Sequence, residues 1–147
     1  MPVIQSSATA TLLELGAQVV SALTITASMK TTEIRVMYYP KDFGLMDDFY
    51  RNKLKWPVRT DFNDPDYRVV LFEPGENIIV ELLTRGDQKD ENFRFKASLE
   101  VEDVVKLWEE YKELAPVAHK LRDNSWGDRS FSVVDPEGNH LTFFTKF

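Results

Sequence analysis

The sequence of 147 residues contains no cysteine. This absence excludes disulfide bonds, thiol catalysis and zinc sites with cysteine ligands, and it fits a protein of the reducing cytoplasm. Runs of basic residues are also missing, and the formal net charge is −6. Because binding to a phosphate backbone needs a basic surface, we expect no nucleic-acid partner.

What is present is typical of a globular protein, with 43% apolar and 29% charged residues. The length is enough for one domain with a full hydrophobic core and too short for two ordinary domains. We therefore expect a single domain over residues 31–147, preceded by an N-terminal extension over residues 1–30.

The extension contains an apolar stretch, "ATATLLELGAQVVSALTITA", over residues 8–27. A secretory signal requires basic residues before its apolar run, and none precede this one. The hydroxyl groups of the stretch and Glu14 argue against a membrane span. Two interpretations stay open. Leu12, Leu15, Val19 and Leu23 fall near one helical face, which suits a helix docked on the domain or on a partner subunit. Alternatively, Met29 is the natural first residue and the preceding segment has no function.

The rest of the chain contains the same order of elements twice. The first half has predicted strands Glu33–Tyr39, Pro57–Phe62, Tyr67–Glu73 and Asn77–Thr84, and a predicted helix Phe43–Leu54. The second half has predicted strands Phe95–Val101, Pro116–Arg122, Arg129–Val134 and His140–Phe147, and a predicted helix Glu102–Leu114. The sequence therefore predicts an α+β fold of two tandem β-α-β-β-β modules, over residues 33–84 and 95–147, joined by a charged linker at 85–94.

Similar sequences in the two halves support this duplication. "FYRNKLKWPV" (residues 49–58) aligns with "WEEYKELAPV" (residues 108–117), and "LFEPGENIIVEL" (71–82) aligns with "VVDPEGNHLTFF" (133–144). Each of the latter pair has an acid–Pro dipeptide opening a turn that contains Gly and Asn. Since one module alone would leave a sheet face exposed, we expect the two to pack around a shared interior.

These paired modules, with "FYRNKLKW" after the first strand and "WGDRSFSVVDPEGNHLTFF" near the end, resemble the vicinal oxygen chelate superfamily over Glu33–Phe147. That superfamily includes glyoxalase I, extradiol dioxygenases, fosfomycin-resistance enzymes and bleomycin-binding resistance proteins. The resemblance implies curled mixed sheets around a shared cup for a small molecule, and a homodimer.

The resemblance also implies where a divalent metal would be held, usually by His, Gln or Glu on the first and last strands of each module. The corresponding positions here are Arg35 (or Glu33 after a shift of two), Glu81, Lys96 and Thr142. Arginine is permanently protonated, and lysine would have to lose its proton to bind a metal. We therefore expect no regular metal site and no cofactor, with Glu81 the retained candidate should a divalent metal bind. His119 and His140 are expected to face solvent or to be structural.

The facing of the last strands stays open at this point. The internal alignment pairs Glu81 with Phe143 and Val80 with Thr142. If both strands keep the same alternation, one of these two pairs faces the cup, and a slip of one residue would exchange them.

Three functions are compatible with these residues. The first is a metal-free protein, closest to the bleomycin-resistance-like branch, that sequesters an aromatic or otherwise flat small molecule. Its expected ligand-binding residues are Arg35, Trp56, Glu81, Lys96, Trp126, Arg129 and Thr142. The second is a lyase, isomerase or dioxygenase of the same superfamily with an atypical metal or with Lys96 and Glu81 as an acid–base pair. The third is an interaction protein with an empty cup.

Overall fold

The computed structural model describes residues 29–147. Both interpretations of the apolar stretch at residues 8–27 lie outside the described residues. None of the helices within residues 29–147 is long and apolar enough to cross a membrane.

The predicted order of elements is confirmed in both modules. The first contains β1 (Ile34–Tyr38), α1 (Phe43–Asp48), β2 (Val58–Asp64), β3 (Tyr67–Gly75) and β4 (Ile78–Arg85), with a π-helical turn at Phe49–Lys53 directly after α1. The second contains β5 (Lys96–Glu100), α2 (Val104–Tyr111), β6 (Val117–Asp123), β7 (Asp128–Val134) and β8 (His140–Lys146). The α2 helix is shorter than predicted.

Each module forms one four-stranded mixed sheet. The strand orders are β1-β4-β3-β2 and β5-β8-β7-β6. The β1 strand runs parallel to β4, and β5 runs parallel to β8, whereas all other neighbouring strands are antiparallel. The two sheets do not close on each other, so β1 and β5 are both edge strands.

The two helices begin in the same way. Asp42 precedes α1 and its side chain accepts a hydrogen bond from the Leu45 N–H at 3.0 Å, while Asp103 precedes α2 and accepts from the Lys106 N–H at the same distance. Each carboxylate satisfies a backbone donor that has no partner inside the helix, which fixes where the helix starts.

The two modules share one hydrophobic core, as expected. It joins the helix-facing sides of both sheets to the buried sides of both helices. Its largest members include Tyr38, Met46, Tyr50, Trp56, Phe72, Leu82, Tyr111, Phe131, Leu141 and Phe143. The opposite side of the first sheet carries a smaller buried cluster of Val69, Leu71, Ile79 and Leu83. Hereafter, the side of each sheet away from the helices is called its outer face.

The turn "DPEGN", residues 135–139, fastens the second module to the first. Asp135 is buried and accepts a hydrogen bond from the Tyr50 hydroxyl at 2.8 Å. The Glu137 carboxylate accepts from the backbone N–H groups of Lys41 at 2.9 Å and Asp42 at 2.6 Å. Residues that the sequence marks only as turn formers therefore hold the β1–α1 connection and the π-helical turn of the other module.

The Tyr50–Asp135 bond predicts a specific loss of stability in alkali. Burial, followed by the negative charge of Asp135, raises the pKa of Tyr50 well above its ordinary value of 10.0. Because the raised pKa belongs to the folded state, the contribution is complete below pH 10 and is lost as pH rises above it. Between about pH 10.5 and about pH 11.5 the free energy of unfolding should fall more steeply with pH in the unchanged protein than in Tyr50→Phe, by up to about 1.4 kcal/mol per pH unit, whereas near pH 9 the two slopes should agree. An identical slope in the variant over the higher pH range would contradict this assignment.

Candidate functional site

A cavity of about 630 Å³ lies between the two modules, and it is called the inter-module cavity below. Its walls are β1 and β4 of the first sheet, β5 and β8 of the second, the chain after the π-helical turn, and α2. Most of its lining is apolar: Ile34, Val36, Leu54, Trp56, Pro57, Pro74, Ile78, Ile79, Val80, Ala97, Leu99, Val101, Leu107, Leu141 and Phe143, with Tyr111. Lys55, Lys96 and Glu100 are the charged residues in the lining.

One wall of the cavity is a hydrogen-bonded pair of aromatic rings. Lys55 has a positive φ of 57°, and the backbone N–H of Trp56 donates to the Tyr50 carbonyl oxygen at 3.0 Å, so the chain turns and brings the indole inward. Trp56 is only 5% exposed, and its Nε1–H donates to the Tyr111 hydroxyl oxygen at 3.1 Å. The Tyr111 hydroxyl donates in turn to the Leu54 carbonyl oxygen at 3.4 Å. Because these polar atoms are paired among themselves, the two residues offer apolar ring surface to the cavity.

The protonation state of the Tyr111 phenol also follows from its burial. Burial raises the pKa of its phenol above the ordinary value, and the hydrogen bond from Trp56 opposes this only in part. The phenol therefore stays neutral at physiological pH and keeps both hydrogen bonds. This fixed geometry presents a rigid wall to a ligand.

Arg35 and Glu81 lie on the outer face of the first sheet, outside the cavity lining. The β1–β4 register pairs Met37 with Glu81, and the Arg35 Nη1 approaches the Glu81 Oε1 at 3.5 Å. Arg35 also donates to Glu33 at 2.5 Å, and Glu33 accepts from Arg59 at 2.6 Å. Hydrogen bonds from Arg59 and Arg35 lower the pKa of Glu33. The outer face thus carries a chain of ion pairs in which Glu81 is already partnered by a cation.

The proposed acid–base pair of Lys96 and Glu81 is not formed. Glu81 is buried against Arg35, whereas Lys96 is exposed on the edge strand β5 of the other sheet. Lys96 contributes to the cavity lining, but the β5–β8 register, which pairs Lys96 with His140, places its side chain on the outer face of the second sheet.

The sequence offered two pairs of residues that could share a face of the last strands, Glu81 with Phe143 or Val80 with Thr142, and both pairings are wrong. In the structure Val80 and Phe143 belong to the shared core, while Glu81 and Thr142 both lie on the outer faces. The residue with positive φ in the first hairpin is Asn77 (59°), and in the second it is Gly138 (90°). Because this residue sets the turn, Asn77 of the first hairpin corresponds to Gly138 of the second. The alignment based on the acid–Pro pairs is therefore shifted by one position from the structural correspondence.

The donors at the superfamily's metal positions do not fit a divalent metal. Arg35 and Lys96 carry positive charge there, Glu81 is held by Arg35, and the Thr142 hydroxyl is hydrogen-bonded to the Ser132 hydroxyl at 2.9 Å. Within residues 29–147 no three His, Asp or Glu side chains are grouped in a way that could hold a metal ion. A stable site would need three or more such ligands.

Trp126 and Arg129 lie neither in the cavity lining nor among the ion pairs on the outer face of the first sheet. Trp126 is 73% exposed and donates through Nε1 to Asp128 at 3.0 Å. Arg129 pairs with Asp123 at 2.5 Å and lies over the ring of Phe147. Their interactions are local to the β6–β7 loop and the strand ends beside it.

Of the predicted ligand-binding residues, Trp56 and Lys96 line the cavity. Sequence reasoning missed Lys55, Tyr111 and the inward-facing residues of β5, Ala97 and Leu99. Tyr111 had a detectable signal, since it falls on the apolar stripe of α2, but that stripe predicts core packing equally well. The left-handed Lys55 carries no sequence signal, because lysine rarely adopts that conformation.

Comparisons with known proteins agree with this fold. A family model described as the Glyoxalase/Bleomycin resistance protein/Dioxygenase superfamily matches residues 34–143. A comparison with curated proteins found no match.

Several solved structures have the same fold. TioX from Micromonospora sp. ML1 is 17% identical, with a TM-score of 0.66 over 80% of this chain and 100% of that one. TnmS3, an antibiotic binding protein from Streptomyces sp. CB03234, is 17% identical, with a TM-score of 0.65 over 83% and 100%. Lactoylglutathione lyase from Agrobacterium tumefaciens is 18% identical, with a TM-score of 0.62 over 80% and 95%. At these identities the likeness establishes the fold, which hosts both binding proteins and enzymes.

Proposed function

Because the chain belongs to the Glyoxalase/Bleomycin resistance protein/Dioxygenase superfamily, we propose that it binds a small molecule and that it does so without a divalent metal. The ligand is an aromatic or otherwise flat molecule, and its site is the inter-module cavity. The observation that carries this proposal is the cavity itself, which both modules wall with apolar side chains.

The size and lining of the cavity support this function. A volume of about 630 Å³ falls within the range of about 300–1,000 Å³ that is usual for ligand pockets. The rings of Trp56, Tyr111 and Phe143 provide flat apolar surface for stacking. The description of TnmS3 as an antibiotic binding protein is compatible with such a role, although the proposal rests on this chain's own residues.

A neutral aromatic probe tests the proposal directly. N-phenyl-1-naphthylamine, which fluoresces in apolar surroundings, is expected to bind saturably with one site per chain. Because Trp56 forms one wall of the cavity, the bound probe should quench its emission. Trp56→Phe should remove most of that quenching, whereas Trp126→Phe, at an exposed position outside the cavity lining, should leave it intact. Loss of quenching in Trp126→Phe alone, or no saturable binding, would contradict the proposal.

The metal-free part of the proposal has its own test. After dialysis against Mn²⁺, Ni²⁺ or Zn²⁺ and removal of free ions, elemental analysis should find well under one metal ion per chain. The reason is the donor set, in which Glu81 is held by Arg35 and the other positions carry Arg35, Lys96 and Thr142. The decisive control is Glu81→Gln. A stoichiometric metal that disappears in this variant would show that Glu81 is a ligand and that the proposal is wrong.

A further inference from the structure

One side of β5 has no backbone partner among the described residues. The strand pairs only with β8. The His140 N–H donates to the Phe95 carbonyl oxygen at 3.0 Å, and the Val101 N–H donates to the Phe144 carbonyl oxygen at 2.8 Å. Because backbone groups alternate in direction along a strand, the odd-numbered residues point toward β8 and the even-numbered ones point away.

The unpaired side of β5 borders the inter-module cavity. The N–H and C=O groups that point away from β8 belong to Lys96, Ser98 and Glu100, and all three residues are part of the cavity lining. The cavity therefore combines apolar walls with a row of backbone donors and acceptors along one side. Such groups favour any ligand that supplies matching amides, because leaving them unpaired under an apolar ligand would cost free energy.

From this juxtaposition we infer that the aromatic groups of the ligand are carried on an extended, peptide-like backbone whose amide groups pair with the unpaired side of β5. This inference rests on the proposed function and names the ligand class for the same cavity. Lys96 to Glu100 spans roughly 13 Å at the usual rise of a strand, which is enough for three to five residues of an extended chain. Alternate side groups of such a ligand point to one face, where Trp56 and Tyr111 provide aromatic surface.

A pair of isomeric peptides tests the inference. The parent probe is acetyl-Thr-Phe-Thr-Phe-Thr-amide. One isomer carries N-methyl groups on both phenylalanine nitrogens, and the other carries them on two threonine nitrogens. Because alternate N–H groups of a paired strand point to opposite sides, only one isomer should lose its bonds to β5.

The expected result by isothermal titration calorimetry is that one isomer binds at least about tenfold more weakly than the parent, while the other stays within about threefold. Equal affinities of the two isomers, or no binding of the parent, would overturn the inference.

Ser98→Pro tests the same contact by changing the protein instead of the peptide. Proline removes the one N–H of Ser98 and is tolerated on the unpaired side of an edge strand. The matched control, Ser98→Ala, keeps that N–H. The proline variant should bind the parent peptide roughly tenfold more weakly than the alanine variant does. Should the proline variant fail to fold, which circular dichroism would report, the isomer comparison decides.

N-phenyl-1-naphthylamine separates this inference from the proposed function. Retained probe binding without isomer-dependent peptide binding would overturn the inference and leave the function standing, whereas absence of both would overturn both. Sedimentation analysis provides a further check. A dimer that the peptide dissociates would assign the unpaired side of β5 to a second copy of the chain and would also overturn the inference.

Discussion

Replacing Asp135 with alanine is expected to lower the free energy of unfolding by about 3–5 kcal/mol. Asp135 is only 3% exposed. Its Oδ2 accepts hydrogen bonds from the Tyr50 hydroxyl and from the Asn139 Nδ2, both at 2.8 Å. Its Oδ1 accepts from the backbone N–H groups of Glu137 at 2.9 Å and Asn139 at 3.0 Å. The substitution therefore leaves four donors without their acceptor, most of them in buried surroundings.

Chemical denaturation of the purified variants measures this loss. Tyr50→Phe removes one of the four bonds and leaves the carboxylate its others, so it should cost only about 1 kcal/mol. Asp123→Ala removes an exposed carboxylate of the same type, whose partner is Arg129, and should leave stability unchanged within error. If Asp135→Ala were as mild as Asp123→Ala, the "DPEGN" turn would not be what fastens the modules together.

The neighbouring residues of this turn show why its effect extends beyond one hairpin. The Asn139 Oδ1 accepts from the Phe95 N–H at 2.9 Å, just before β5 begins. Glu137 accepts from backbone donors at the start of the first module's helical segment and also from the Tyr38 hydroxyl at 3.2 Å. One short turn thus sets the position of β5 and of the chain around α1, which are parts of two different modules.

The fold could be predicted from sequence because its signals are local. Alternating apolar residues, helical spacing in two segments and the repeated order of elements fix two β-α-β-β-β modules. Both helix starts also follow local chemistry, with Asp42 and Asp103 as caps. The limits appear where one residue decides the outcome. The acid–Pro pairs align the two hairpins in sequence, but Asn77 and Gly138 set the two turns, which shifts the structural correspondence by one position. A shift of one position exchanges the two faces of a strand.

The site could be predicted only in part, for a related reason. Positions inherited from metal-binding relatives lead to Arg35, Glu81 and Thr142, which all lie on the outer faces. The cavity depends instead on how the two modules pack, and packing across more than fifty residues leaves no local pattern. Trp56 was recognisable as an aromatic residue at a strand edge, but its partner Tyr111 is brought to it only by the tertiary fold.

Filling the inter-module cavity is expected to weaken binding of N-phenyl-1-naphthylamine by roughly a hundredfold, equivalent to about 2.7 kcal/mol. The substitution is Ala97→Phe. Ala97 is half-buried, lines the cavity and pairs in register with the core residue Leu141, so a larger side chain at this position extends into the space that the probe requires. The free energy of unfolding should stay equal or rise, because the new ring contacts existing apolar walls.

Ser98→Phe is the matched control, since it places the same ring one residue further along β5. The register pairs Ser98 with Thr142, so the added side chain lies on the outer face of the second sheet. Fluorescence titration should therefore find the probe affinity of Ser98→Phe close to that of the unchanged protein. The opposite pattern, with Ser98→Phe blocking the probe and Ala97→Phe leaving it bound, would move the binding site to the outer face. Because the two substitutions differ by one position on one strand, the comparison isolates the face of the sheet as the variable that decides binding.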